Sequence, residues 1–160
     1  MTTEQADKPR VFLVIVDATP EMRAALRYAA RRALRTGGRV ALLRVVDPPE
    51  GQRWRAMEEL MRVEQREEAE QIISGLSLQL VNLTGTPPVV YIREGEAAPE
   101  ILAQINEEPS ISVLVLAAAV GASGPGPLVS MMSNRLMGKL RVPLIIVPGS
   151  LSDEDIDLVT

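Results

Sequence analysis

The chain contains no cysteine and no histidine among its 160 residues. Without cysteine it can form neither a disulfide framework nor a thiolate metal site. Without histidine it lacks the commonest general base, the commonest zinc ligand and any triad of the Ser-His-Asp kind. We therefore expect a protein that is not an enzyme, with no catalytic residues and no bound metal ion.

Aromatic residues are also scarce, and negative charges outnumber positive ones. One Trp, two Tyr and one Phe offer few stacking platforms for single-stranded nucleic acid, and the formal net charge is −4. No apolar run reaches the roughly 20 residues of a membrane-spanning helix, and residues 1–10 lack the apolar segment of a signal peptide. These features, with the absence of cysteine, predict a cytoplasmic protein that binds neither nucleic acid nor membrane.

Short apolar, β-branched runs alternate with helical patterns along the sequence. The runs that are typical of strands buried on both faces are 11–16, 40–46, 89–92, 113–116 and 144–147. Between them apolar residues recur at helical spacing, including a long stretch from about 53 to 80. Such alternation requires parallel strands joined by right-handed crossovers. We predict a Rossmann-like α/β fold with three layers, in which helices cover both faces of a five-stranded parallel sheet.

The segments outside this pattern are short. We predict one domain at 10–148, preceded by a flexible N-terminus at 1–9 and followed by an acidic tail at 149–160 that frays. Within the domain, Thr19 is the expected N-cap of the first helix, with Pro20 in its first turn.

Arginine recurs every four residues along the first predicted helix, at Arg23, Arg27, Arg31 and Arg35, with Arg32 beside them. On a helix these residues form one basic stripe. The stripe could bind an anionic partner, but charge runs on surface helices are common and the chain is net acidic. We predict that the stripe is a solvated face.

Two segments lie where open parallel sheets bind ligands, outside the carboxyl ends of the strands. Asp17 follows the first predicted strand, and a glycine-rich loop at 121–127 follows the fourth. If these strands are neighbours, both segments line one crevice, where an acid can hold a ribose hydroxyl and loop amides can hold phosphate. The simpler interpretation makes Asp17 a turn residue and the loop a connection, because Pro125 and Pro127 have no N–H for phosphate.

The order and spacing of four segments resemble the universal stress protein family over about residues 10–148. The resemblance rests on 17–19, 44–48, 94–102 and 141–148. It implies an adenine nucleotide alpha hydrolase-like fold and a non-catalytic role in stress response, exerted through a protein partner that the sequence does not identify. It also implies a homodimer through the last strand, whose apolar edge needs a partner; the residues of this edge are Leu144, Ile145, Ile146 and Val147.

Some members of that family bind ATP and others do not. In the members that bind it, an aspartate after the first strand and a valine in the second hold adenosine. The resemblance carries these roles to Asp17, with Ala18 beside it, and to Val45. It therefore leaves two alternatives open for the cofactor, which are none at all or ATP with magnesium.

The phosphate loop of the ATP-binding members is Gly-x-x-Gly, nine residues, then Gly and Ser or Thr. Aligned back from the final strand, its positions fall on Ala118, Gly121, Ser130 and Met131, with eight residues between the halves. A second register begins at Gly121 and Gly124 and ends at Asn134-Arg135. Neither register is complete, and Met131 cannot hydrogen-bond phosphate as serine does. We predict weak or absent ATP binding; the alternative is a slowly hydrolysing ATP switch that uses Gly121, Gly124, Gly126 and Ser130.

Overall fold

Strands and helices alternate along the chain, as the apolar pattern predicts. The computed structural model describes residues 8–49 and 54–160, so the predicted flexible N-terminus falls almost wholly outside the described residues. The strands are β1 (Val11–Ile15), β2 (Arg39–Val46), β3 (Val89–Glu94), β4 (Ile111–Ala118) and β5 (Leu144–Pro148). The helices are α1 (Met22–Thr36), α2 (Arg55–Thr84), α3 (Ala97–Glu107), α4 (Pro127–Asn134) and α5 (Asp153–Val159), with a short 3-10 turn at Met137–Lys139.

The sheet is parallel throughout and β1 lies at its centre. The strand order is β3-β2-β1-β4-β5. All five residues of β1 are buried, which explains why its sequence carries no polar side chain. The order reverses between β1 and β4, so the carboxyl ends of these two strands form the switch point of the sheet.

Helices cover both faces of this sheet, and alternate residues of β1 point to opposite faces. Phe12 and Val14 belong to a core that includes residues of α1, α2 and α5. Leu13 and Ile15 belong to a second core, with residues of α3 and α4. The predicted three-layer α/β fold is confirmed. Over residues 8–49 and 54–160, no helix has both the length and the hydropathy to cross a membrane.

The start of α1 differs from the prediction, because Thr19 is not its N-cap. Glu21 takes the N-cap position and makes no capping bond with its side chain. The amide and the hydroxyl of Thr19 both donate to Oδ1 of Asp17. Asp17 thus attracts the side chain that was expected to cap the helix, and the pair closes the turn between β1 and α1.

The acidic tail forms helix α5, so the prediction that it frays is wrong. Ser152 and Asp155 make reciprocal bonds to each other's backbone amides in a capping box. Ile156 is 0% exposed and belongs to the core that includes α1. A helix of 7 residues has little stability by itself, so packing against α1 must hold it.

Helix α5 covers part of the basic stripe of α1. The prediction of a solvated face is wrong for Arg27, Arg31 and Arg32, which are half-buried, whereas Arg23 and Arg35 are exposed. The Arg27 guanidinium donates from Nε and Nη2 to the two carboxylate oxygens of Asp157, at 2.8 Å each. Arg31 Nε lies 3.4 Å from Asp157 Oδ1, and Arg23 Nη1 lies 3.3 Å from Asp153 Oδ1. The partners lie about 130 residues apart in sequence, which is why no local pattern reveals them.

Gly149 joins the tail to the end of the sheet. Its amide donates to the carbonyl of Ala118 at 2.9 Å. A Cβ at this position would lie 2.5 Å from Cβ of Glu21 and 2.8 Å from that same carbonyl oxygen. The close approach of these three segments therefore requires glycine.

We expect Gly149→Ala to lower the free energy of unfolding by about 1–3 kcal/mol, because the methyl group has to displace backbone atoms. Gly75→Ala is the matched control. Gly75 is an exposed residue inside α2 with no atom within 4 Å of its would-be Cβ, so this change should raise stability by about 0.5–1 kcal/mol. Urea denaturation followed by circular dichroism measures both, and equal effects of the two substitutions would contradict the packing described for Gly149.

The α1–α5 contact should weaken in acid. Hydrogen bonds from Arg27 hold the pKa of Asp157 below its ordinary value of 3.8. The folded state therefore favours the ionised carboxylate, so this contribution is complete above the ordinary value and is lost as pH falls through the lowered one.

We expect amide protection in α5, corrected for intrinsic exchange rates, to decrease as the pH falls below the ordinary pKa of Asp157. Hydrogen exchange measures this protection. Asp157→Asn is the control, since its amide does not titrate and this step should be missing. An unchanged pH profile in that variant would assign the effect to other carboxylates.

Candidate functional site

A crevice opens at the carboxyl ends of β1 and β4, where the strand order reverses. The start of α1 and the start of α4 form its walls. Its lining residues are Ile15, Asp17, Thr19, Glu21, Met22, Ala25, Leu116, Ala117, Pro125, Gly126, Pro127, Leu128 and Val129. β1 and β4 are neighbours, so Asp17 and the end of the glycine-rich loop do meet in one crevice.

Asp17 is a half-buried residue that fixes the turn before α1. Its Oδ1 accepts the Thr19 amide at 3.0 Å and also the Thr19 hydroxyl. The simpler interpretation of Asp17 therefore describes what this oxygen does in the structure. The side chain also lines the crevice, where a carboxylate can accept a hydrogen bond from a ligand.

The glycine-rich loop folds back on itself. The amide of Ala119 donates to the carbonyl of Pro125 at 3.0 Å, and the amide of Gly124 donates to that of Gly121 at 3.3 Å. Gly124 and Gly126 have φ of 84° and 101°, a region that favours glycine. A phosphate site needs several amides directed at the anion. Here the Gly124 amide and the Ala119 amide just before the loop are already bonded to carbonyls of the loop.

The crevice is also small for a nucleotide. Its volume is ≈ 100 Å³, whereas sites for drug-sized ligands measure about 300–1,000 Å³. Met22, Leu116 and Val129 make much of its wall apolar. In the described residues, no three acidic side chains gather to hold a metal ion. The crevice by itself is therefore smaller than a site that encloses a nucleotide-sized ligand.

The structure separates the other predicted site residues from the crevice. Val45 lines a second cavity of ≈ 190 Å³ between β2 and α2. Ser130 and Met131 lie with Asn134 in a shallow depression beside α4. The carbonyl of Ala118 accepts the Gly149 amide at the rim.

Two more predicted residues, Ala18 and Gly121, are exposed, and Gly124 is half-buried in the loop. None of the three is among the residues that line the crevice. Of the residues predicted to hold adenosine or phosphate, Asp17 and Gly126 line the crevice and the others do not.

Two polar residues that line the second cavity, Arg44 and Gln65, were not predicted as site residues from the sequence. Arg44 donates from Nη1 to the carbonyl of Val16 at 3.1 Å, which ties β2 to the end of β1. Arg44 Nε and Gln65 Oε1 both line this cavity and are buried without a hydrogen-bond partner among the described residues. An arginine inside an otherwise apolar strand was the available signal.

Displaced pKa values belong to ion pairs or packing outside the crevice. Arg93 donates to Glu107 and so lowers the pKa of that carboxyl, as Arg27 does for Asp157. Burial raises the pKa of Tyr91. None of these groups lines the crevice, so these shifts do not assemble an acid–base pair there.

Comparison with known proteins adds the family. The model of the universal stress protein family matches residues 9–148. Among curated proteins, no sequence matches that of this chain. The family match spans every strand of the sheet and ends at the last residue of β5, before α5 begins.

Solved structures of universal stress proteins share the fold. One from Lactobacillus plantarum is 18% identical, with a TM-score of 0.70 over 88% of this chain and 97% of its own. One in complex with cAMP is 14% identical, with a TM-score of 0.63 over 88% and 98%. One from Arabidopsis thaliana with AMP bound is 14% identical, with a TM-score of 0.59 over 91% and 95%. Together with the family match over residues 9–148, they lead to one conclusion: this chain belongs to the universal stress protein family.

Proposed function

We propose that this chain is a regulatory, non-catalytic universal stress protein that acts in the cytoplasm through dimerisation and a protein partner. Its binding of adenine nucleotide is weak or absent. One observation carries the nucleotide part of this proposal: the crevice at the switch point is small and the adjoining loop is bonded to itself.

Two structural neighbours are described with cAMP and with AMP bound. For such a ligand to bind inside the crevice, the crevice would have to widen and the loop that lines it would have to move. These changes cost free energy, and that cost reduces the affinity with which the ligand binds. Pro125 and Pro127 would still offer no N–H to a phosphate.

The chemistry of the crevice favours binding over catalysis. Asp17 is its candidate acid or base, and the Thr19 hydrogen bonds already engage one oxygen of that carboxylate. Glu21 is the other carboxylate that lines the crevice, and the chain has no histidine or cysteine to act beside the two acids as a neutral base or a thiolate nucleophile.

The edge of the sheet supports a dimer through β5. This strand has a neighbour, β4, on one side only. Ile146 is 39% exposed on it, and an uncovered apolar edge tends to pair with another chain.

The first experiment titrates ATP with magnesium into the wild-type protein by calorimetry. We expect a dissociation constant of about 1 mM or weaker, in line with a crevice that must open. Micromolar binding that Asp17→Ala abolishes would replace the proposal with the ATP-switch alternative. Asp47→Ala is the matched control, since Asp47 follows β2 as Asp17 follows β1 but lies in the second cavity.

The second experiment tests the dimer by analytical ultracentrifugation. We expect wild type to sediment as a dimer and Ile146→Asp as a monomer, because the charge would lie in the interface. Val90→Asp is the control, since Val90 is 41% exposed on β3, the opposite edge. A monomeric wild type, or dissociation by Val90→Asp alone, would contradict a dimer through β5.

A further inference from the structure

The acidic helix α5 covers a row of arginines on α1. Helix α5 begins at Asp153, beyond the segment that matches the family model. We propose that the arginine face of α1, formed by Arg23, Arg27, Arg31 and Arg32, is a docking surface for acidic amphipathic helices. Its occupant in the structure is α5, and its occupant in a complex is a protein partner with the same pattern, which binds once α5 is displaced.

The contacts of α5 define the pattern that a partner helix would share. Asp153 and Asp157 lie four residues apart, on one side of the helix, and both meet Arg27: Nη1 is 3.7 Å from Asp153 and Nη2 is 2.8 Å from Asp157. Ile156 lies beside them and is fully buried. A matching partner therefore carries Asp-x-x-Ile-Asp on one face of a helix.

The geometry of the face suits a carboxylate that is carried by a helix. Arg27 binds Asp157 with two parallel hydrogen bonds, a planar fork that matches a carboxylate. Arg32 Nη1 donates to the carbonyl of Thr160 at 3.3 Å, where helix carbonyls lack partners within the helix. Thr160 itself is only 8% exposed, so the face contacts α5 along its whole length.

Several features make α5 displaceable. It is 7 residues long and packs chiefly on α1. The pair between Arg23 and Asp153 has side chains that are 50% and 61% exposed, and pairs of that kind contribute little. A tether gives α5 an effective concentration on the order of millimolar, so the tail acts as an internal competitor that weak acidic ligands cannot displace.

This inference rests on the partner-binding part of the proposed function. It does not depend on the crevice or on β5, so the ATP titration and the dimer measurement can succeed or fail independently of it.

The test uses a fluorescent peptide of residues 149–160 as the probe and full-length proteins as receptors, with binding read by anisotropy. The receptors are wild type, a variant with Ile156→Ser and Asp157→Asn that loosens α5, and that variant with Arg27→Ala added. Hydrogen exchange reports whether α5 is released. We expect the peptide to bind the loosened variant at least about tenfold more tightly than wild type. This affinity should decrease with added salt, and Arg27→Ala should abolish binding.

Matched controls distinguish the effect of the two parallel Arg27–carboxylate bonds from the effect of positive charge alone. Arg27→Lys in the loosened variant should bind more weakly than Arg27 itself, because lysine cannot form the fork. A peptide with Asp153→Asn and Asp157→Asn should not bind.

Equal binding to all receptors, or binding that Arg27→Ala leaves unchanged, would overturn the proposal, as would an α5 that stays protected in the loosened variant. If the loosened variant does not fold, the proposal is tested with the wild-type protein alone. Rising peptide concentration should then increase hydrogen exchange in α5, and unchanged exchange would overturn the proposal.

Discussion

Burial of β1 on both faces is the constraint on which the rest of the structure depends. A strand that runs from Val11 to Ile15 without a polar side chain needs a neighbour on each side and helices above and below. β2 and β4 supply the neighbours, and α1 and α3 belong to the two helical layers. Because β4 returns on the other side of β1 from β2, the strand order reverses there, and the same constraint places the crevice.

Helix α1 connects the parts of the molecule that carry function. Its alanines, among them Ala25 and Ala29, are small enough to bring the helix close to the sheet. Its first turn lines the crevice, and its arginine face holds the tail. Gly149 touches both Glu21 at the start of α1 and Ala118 at the end of β4, so the tail begins at the rim of the crevice.

The fold could be predicted from the sequence because strand and helix periods are local properties. The apolar runs predict β1 and β4, and with them the meeting of Asp17 and the glycine-rich loop. The tail could not be predicted, since α5 is too short to show a helical period and its arginine partners lie about 130 residues away. The closing of the loop by Ala119 and Pro125 depends on the positive φ values of Gly124 and Gly126, which glycine permits but does not dictate. Thr19 favoured a cap by type, but α1 begins only at Met22, and the Thr19 hydroxyl donates to Asp17 in the turn before it.

The fork between Arg27 and Asp157 has an evolutionary consequence. If either residue is replaced, the other loses both hydrogen bonds, because two parallel bonds need the guanidinium and the carboxylate together. Selection would therefore act on the arginine row and the tail as one inherited unit, although the tail lies outside the segment that defines the family.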